Sequence, residues 1–422
     1  MTSTQRAALV LFIIALVIYT FPLVYNALVT PFFNPVPSQD VVSASLAPVS
    51  LLTRGNFYLD QYRRFVANNY SEPNFVAEVN GHMVARTTVV SGVLALPFMG
   101  AGLGTGWLAR TANVFDIAKL AAAVLTALAV LAFFFAAREL TDTATSILVA
   151  VAFAFGSSVW ATASQGLWQH TPSVLFQSIA LWFLARGLRR GARAVIPAGL
   201  FLSLATIARP PVAVTAFVLT LFVLRHFRAA LIPFGLAALP PLALALIYNA
   251  AVNGSPFVFG YQDQVSFGFP QWEAFQGLLF SPSRGLFVFS PFLLLAPIGL
   301  WFGWLRERQH LYAYLAIAFI AYLTIMAAWG SLGGWAYGSR MLTDTLPVMC
   351  LLIIPAVERI RGRGRAALWV VVLFAAFAQM LGLWDYGVRF HAAGNSVWSI
   401  ENNEPWFYLK LYIEMAQAFF AS

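Results

Sequence analysis

The apolar positions of this chain arrive in long blocks, and its polar positions fall almost wholly in the gaps between them. An apolar block of about 20 residues with few charges predicts a helix that crosses a bilayer. Blocks of this character lie at 7–29, 115–137, 143–160, 172–188, 194–208, 211–227, 229–252, 287–304, 311–329, 341–357 and 366–384, so the pattern predicts eleven spans. A shorter stretch, SGVLALPFMGAGLG at 91–104, predicts a segment that dips into the membrane or lies along its surface. The first block exceeds the roughly 7–15 apolar residues of a cleavable signal and reads as a retained anchor.

The gaps are of two alternating kinds. Arg6, Arg138, the group Arg186, Arg189, Arg190 and Arg193, Arg225 with Arg228, Arg306 with Arg308, and Arg359, Arg361, Arg363 and Arg365 occupy alternate turns. Short cytoplasmic loops retain positive charge, so these turns and the amino terminus are expected in the cytoplasm of a cell-membrane protein. The connections 30–114, 161–171, 209–210, 253–286, 330–340 and the tail from 385 are then expected outside.

Composition excludes a soluble fold: 60% of the 422 residues are hydrophobic and 10% charged, against about 45–50% and 25% in soluble domains. The net charge of +9 is accounted for by the arginine-rich turns, with no nucleic-acid partner required. Cys350, the single cysteine, lies within a block, which rules out an internal disulfide. No Walker loop, Rossmann glycine pattern or metal-spaced Cys/His set occurs. No inner turn is long enough for a nucleotide-binding domain, so an enzyme built this way would draw an energised substrate from the lipid phase. The expected organisation is one transmembrane unit over 1–384, including the first outer loop 30–89, and an outward tail, 385–422, carrying an interfacial helix.

The outer connections hold the chemistry. Asp40, in NPVPSQDVVSASL, follows the first block and fits either a general base for an acceptor hydroxyl or a helix-starting Asp beside Ser38. Transfer from a lipid-phosphate sugar needs only one carboxylate, because the phosphate departs as an anion that arginines stabilise. Arg86 in VARTTVVSG, Arg209 in TIARPP, Arg284 in SPSRGLFVFSP and Arg340 in GGWAYGSRML all sit at outer ends of apolar segments. For Arg86 and Arg209, snorkelling to the headgroups and contact with the donor phosphate or substrate are equally open roles. Arg284 and Arg340 follow turn-forming residues that let a phosphate approach. His170 in GLWQHTPS would hydrogen-bond sugar or phosphate, or serve the structure alone. Trp168, Trp272, Trp335 and Tyr337 fit sugar stacking, although for any one of them the interfacial belt is the stronger reading.

The order SQDVVSASLAPVSLLTRGNFYLDQY, VVSGVLALPF, LWQHTPSVLFQSIALWFL, ATIARPPVAV, YNAAVNGSPFVFGY, SPSRGLFVFSPFLLL, WGSLGGWAYGSRMLTDTLPVMCLL resembles bacterial membrane glycosyltransferases of the GT-C superfamily. The likeness is to the branch of protein O-mannosyltransferases and lipid-phosphate-sugar transferases, and runs from residue 7 to 357. It implies an all-α polytopic fold, an outward active site, a polyprenyl-phosphate-linked sugar donor, inversion at the anomeric carbon, and a glycan, lipid or protein acceptor. In that likeness Asp40 takes the base role, Arg340 matches the arginine of a late glycine-aromatic-Gly-x-Arg stretch, and Arg284 that of an Arg-Gly-Leu segment. Relatives place a second acid where Val41 stands, which argues against a metal or other cofactor, although Asp60 or Asp263 would be available to join Asp40. A flippase for a lipid-linked saccharide and a polysaccharide polymerase or ligase are the alternative expectations.

Overall fold

The computed structural model describes residues 2–34, 36–109, 111–258 and 266–421; Asp263 lies outside the described residues. Helix α1 (Ser3–Leu28) leads into the first long connection, which contains α2 (Asp40–Arg54), α3 (Arg63–Asn69) and a hairpin of β1 (Val76–Val79) with β2 (His82–Ala85). Next come α4 (Val90–Gly104), α5 (Thr111–Leu140), α6 (Thr143–Phe155), α7 (His170–Arg190), α8 (Ile196–Ala208), α9 (Ala213–His226) and α10 (Leu231–Asn253). The remainder is α11 (Trp272–Phe280), α12 (Leu286–Phe289), α13 (Ala296–Leu300), α14 (His310–Trp329), α15 (Leu346–Leu352), α16 (Ile354–Val357), α17 (Arg363–Leu381), α18 (Val388–Ala392) and α19 (Glu404–Ala421).

Among the described residues, five helices are long and apolar enough to cross a membrane: Ser3–Leu28, Asn113–Leu140, Arg228–Asn253, His310–Trp329 and Arg363–Leu381. Shorter apolar helices fill most of the other predicted intervals. Large apolar side chains point outward along α10 (Ile232, Leu236, Leu244) and α17 (Val370, Leu373, Phe374), as a lipid-facing surface requires. Helix α7 is the opposite case: packed against α5, α8 and α15, it buries Ser173, Gln177 and Ser178 away from lipid. An added Cβ at Gly199 would lie 2.0 Å from the Phe234 carbonyl oxygen, so glycine is what lets α8 and α10 cross so closely.

Two predicted spans are broken rather than continuous. The 287–304 block divides into α12, a 3₁₀ turn Pro291–Leu295, α13 and a π-helical turn Trp301–Arg306. The 341–357 block divides into a 3₁₀ turn Arg340–Thr345, α15 and α16. Pro291, Pro297, Pro347 and Pro355 each remove an amide donor, and each stands at the start of a new segment. The hairpin was not expected, although its Asn80–Gly81 turn has positive φ at both residues (51° and 82°), the usual signature of a tight two-residue hairpin.

The arginine-rich turns meet at one end of the bundle. Arg359 pairs with Glu307, Thr141 bonds Glu358, Arg365 reaches Thr145, and Arg189 lies 3.7 Å from Glu139. Helix α7 runs from that end, at Arg190, to His170 at the other, where the remaining connections converge.

Candidate active site

The α-helix begins at Asp40 itself, after Gln39. Residues 41–50 of α2 are buried beside α4, which fixes Asp40 at the helix mouth. The Asp40 amide donates to Ser38 Oγ at 3.4 Å, so Ser38 provides a weak start for the helix. The carboxylate is directed elsewhere: Oδ2 accepts from Arg340 Nη2 at 2.7 Å. This pair is the open part of the cluster, with the Asp40 side chain 28% and the Arg340 side chain 13% exposed.

Arg340 emerges from a turn in which Gly333, Gly334 and Gly338 all have positive φ, a path closed to most side chains. Its guanidinium lies 4.6 Å over the ring of Trp168. One turn further on, Asp344 is fully buried and accepts from Tyr322 Oη at 2.7 Å, His170 Nδ1 at 2.8 Å and Arg209 Nε at 3.4 Å. Arg209 Nη1 also donates to Gln169 Oε1 at 3.3 Å. Asp40, Arg340, Trp168, His170, Arg209 and Asp344 thus form one chain of alternating charge built from four separate connections.

Several donors in this chain have no acceptor. Arg340 Nε, Arg209 Nη2 and Trp168 Nε1 are buried without a hydrogen-bond partner among the described residues. An unpaired buried donor costs about 1–3 kcal/mol, a cost that an entering oxyanion would remove. No group of three or more His, Cys, Asp or Glu among the described residues is arranged to hold a metal ion.

The other expected site residues are placed differently. Arg284 is enclosed rather than poised: its side chain is 1% exposed and Nη1 donates to Glu404 Oε2 at 2.5 Å, while Nη2 contacts His391. Glu404 heads α19 and also accepts from the Gly338 amide at 2.9 Å, so this cluster ties the tail to the glycine turn. Burial pushes the Glu404 carboxyl up to about 7, against the pull of Arg284 and the Gly338 amide. Burial, together with the Arg284 charge, holds His391 down at about 4. Tyr337 is fully buried and its hydroxyl donates to the Ala378 carbonyl, placing it in the core. Arg86 Nε donates to the Val76 carbonyl at 2.8 Å, holding the hairpin. Asp60 holds the same hairpin through Arg63, His82 and the Met83 amide. Trp272 and Trp335 are exposed, the latter stacked on His391.

Asp344, Glu404 and the buried Lys119 carry this geometry without having stood out in the sequence. Asp344 and Lys119 are ionisable residues inside apolar blocks, a rarity in membrane spans and the signal by which both are recognisable.

Apolar helices facing outward and a polar cluster at one end define a polytopic, all-α, multi-pass membrane protein. The crystal structure of ArnT from Cupriavidus metallidurans in the apo state is similar to this chain, with a TM-score of 0.55 over 90% of the chain and 14% sequence identity. The chain spans 64% of the length of that ArnT chain. No known sequence family and no curated protein matches it.

Proposed function

We propose that this protein is an inverting glycosyltransferase that moves a sugar from a polyprenyl-phosphate donor to an acceptor hydroxyl at the outer face of the cell membrane. The acceptor is a glycan, lipid or protein hydroxyl. The observation that carries this reading is a partly exposed carboxylate, Asp40, beside buried N–H donors of Arg340, Arg209 and Trp168 that lack acceptors. A base and an oxyanion site are the two things that transfer from a lipid phosphate requires. The fold likeness to ArnT and the sequence resemblance to GT-C enzymes support the same reading.

In this mechanism Asp40 accepts the proton of the acceptor hydroxyl while the hydroxyl oxygen bonds to the anomeric carbon. The bond from that carbon to the phosphate oxygen breaks on the opposite face, and its electron pair leaves with the phosphate. Arg340, which already holds Asp40 in place, turns its free Nε toward the phosphate, and Arg209 adds its free Nη2. Asp344 orients Arg209 and His170 from below. Asp40 and Asp344 are each engaged by a separate guanidinium, and the reaction is proposed to run without a divalent cation. Arg284, Arg86 and Tyr337 are assigned to holding the outer elements together.

Purified protein incubated with a panel of radiolabelled polyprenyl-phosphate sugars, with and without chelator, tests this. Transfer that survives chelation and fails in Asp40→Asn is expected. Donor crossing a vesicle membrane with no bond broken would replace the enzyme with a flippase. Orientation is tested by an impermeant thiol reagent in intact cells: cysteines placed at 60 and 395 should react and those at 190 and 363 should not.

A further inference from the structure

Helix α5 carries two ionisable side chains in its first three turns, Asp116 and Lys119, and Lys119 is 2% exposed. Its ammonium donates to Gln165 Oε1 at 2.9 Å, and the carboxylate whose charge acts on it is Asp116, one turn earlier on the same helix. An ammonium has three donors, and the Gln165 oxygen takes one of them inside a membrane span, where charge is costly and retained for a purpose.

The partner of Lys119 belongs to the turn that carries half of the proposed site. Gln165 Nε2 donates onward to Ser164 Oγ at 2.7 Å and to the Trp160 carbonyl at 3.1 Å, so the side chain is held at both ends. The next residue, Gly166, presses on α2: an added Cβ would lie 3.0 Å from Val41 Cγ1, and Val41 directly follows Asp40. Two residues later Trp168 supports the Arg340 guanidinium, and His170 meets Asp344. The turn therefore touches Arg340 and the residue that directly follows Asp40, and the lysine braces it through Gln165.

We infer that Lys119 is a positioning residue which, through Gln165, holds the 164–170 turn so that Asp40 and Arg340 keep their mutual geometry. The inference rests on the transferase reading, but its first test does not depend on transfer. With Val41→Cys and Gly166→Cys introduced together, the Gly166 Cβ position lies 3.5 Å from Val41 Cβ, within the range of about 3.5–4.5 Å for a disulfide. With oxidised glutathione added as the two-electron oxidant and reduced glutathione leaving, the bond should form readily in otherwise wild-type protein and roughly tenfold more slowly with Lys119→Met, because the attacking sulfur is less often in reach.

In the transfer assay Lys119→Met should lose about 10²-fold in kcat/KM, the scale of an ångström of misplacement, and closing the 41–166 disulfide should recover most of it. Lys119→Met with Gln165→Leu keeps the seam apolar and the protein folded, and should show the same loss. Equal oxidation rates with and without Lys119 would overturn the inference. So would full transfer in the apolar double variant, which would make Lys119 a packing residue. Oxidation that depends on Lys119 in a protein that transfers from no donor would keep the brace and overturn the transferase reading instead.

Discussion

Arg340 and Arg284 occupy similar positions in the sequence, each after a turn-forming stretch and before an apolar segment, and each pairs with a carboxylate. The two pairs differ in enclosure. Asp40 and Arg340 are 28% and 13% exposed, whereas Arg284 and Glu404 are 1% and 0% exposed and bind a tail helix to the glycine turn. An ion pair that a substrate can reach is a site, and one sealed by its neighbours is a fastening. The same residue type takes either role according to what is folded over it.

The largest expected effect breaks the symmetry at the carboxylates. Asp40→Asn should reduce turnover about 10²–10⁴-fold with donor binding nearly intact, the usual contribution of a general base. Glu404→Gln, which removes the same charge from the sealed pair, should leave turnover close to wild type. Comparable losses in the two variants would abolish the distinction.

Next come the arginines. A guanidinium offers a planar fork where lysine offers a flexible point charge, so Arg340→Lys should cost about 10²-fold in kcat as the phosphate loses a fixed donor. Arg284→Lys should transfer like the Arg308→Lys control at the opposite end of the bundle, while its thermal unfolding in detergent shifts downward. Poor transfer by a stably folded Arg284→Lys would return Arg284 to the phosphate.

The fastening has its own test. Glu404→Ala leaves Arg284 buried and uncompensated and should cost about 3–5 kcal/mol, whereas Arg284→Met with Glu404→Leu should regain most of that. Thermal unfolding of the three proteins checks it; a double variant no more stable than the single one would mean that the pair does more than bind the tail.

How much of this was legible follows from what each feature depends on. The helix intervals were, because a bilayer demands long apolar runs whatever surrounds them. The breaks at Pro291 and Pro347 were marked by the prolines themselves, yet an apolar run masks them when hydropathy is averaged. Asp40, Arg340, Arg209 and His170 were readable as candidates from their places at span ends. Their union through Asp344 was not, since it joins residues as far apart as 170 and 344. The burial of Arg284 was hidden for the same reason: Glu404 lies 120 residues downstream and only the folded tail brings it there. The hairpin, by contrast, had a local signal in Asn80–Gly81 that was simply outweighed by the surrounding apolar blocks.

The smallest effect concerns the hairpin that adjoins the open pair's loop. Asp60 is drawn two ways: partial burial raises its pKa, and the Met83 amide, His82 and Arg63 together outweigh that and leave it below the ordinary value of 3.8. A depressed carboxylate contributes stability that is present above its unfolded pKa and is lost as pH falls through the lower folded value. The group is more than a third exposed, so solvent screening holds the contribution to at most about 1 kcal/mol. Pepsin cleavage within 76–85 reports the loss, with Asp60→Asn as reference because it has no charge to lose. The variant should be cut faster than wild type near pH 5, and the ratio should fall toward unity as the pH drops below about 3. A ratio that stays constant across that range would show that the Asp60 charge does not hold the hairpin, and that backbone pairing and Arg86 suffice.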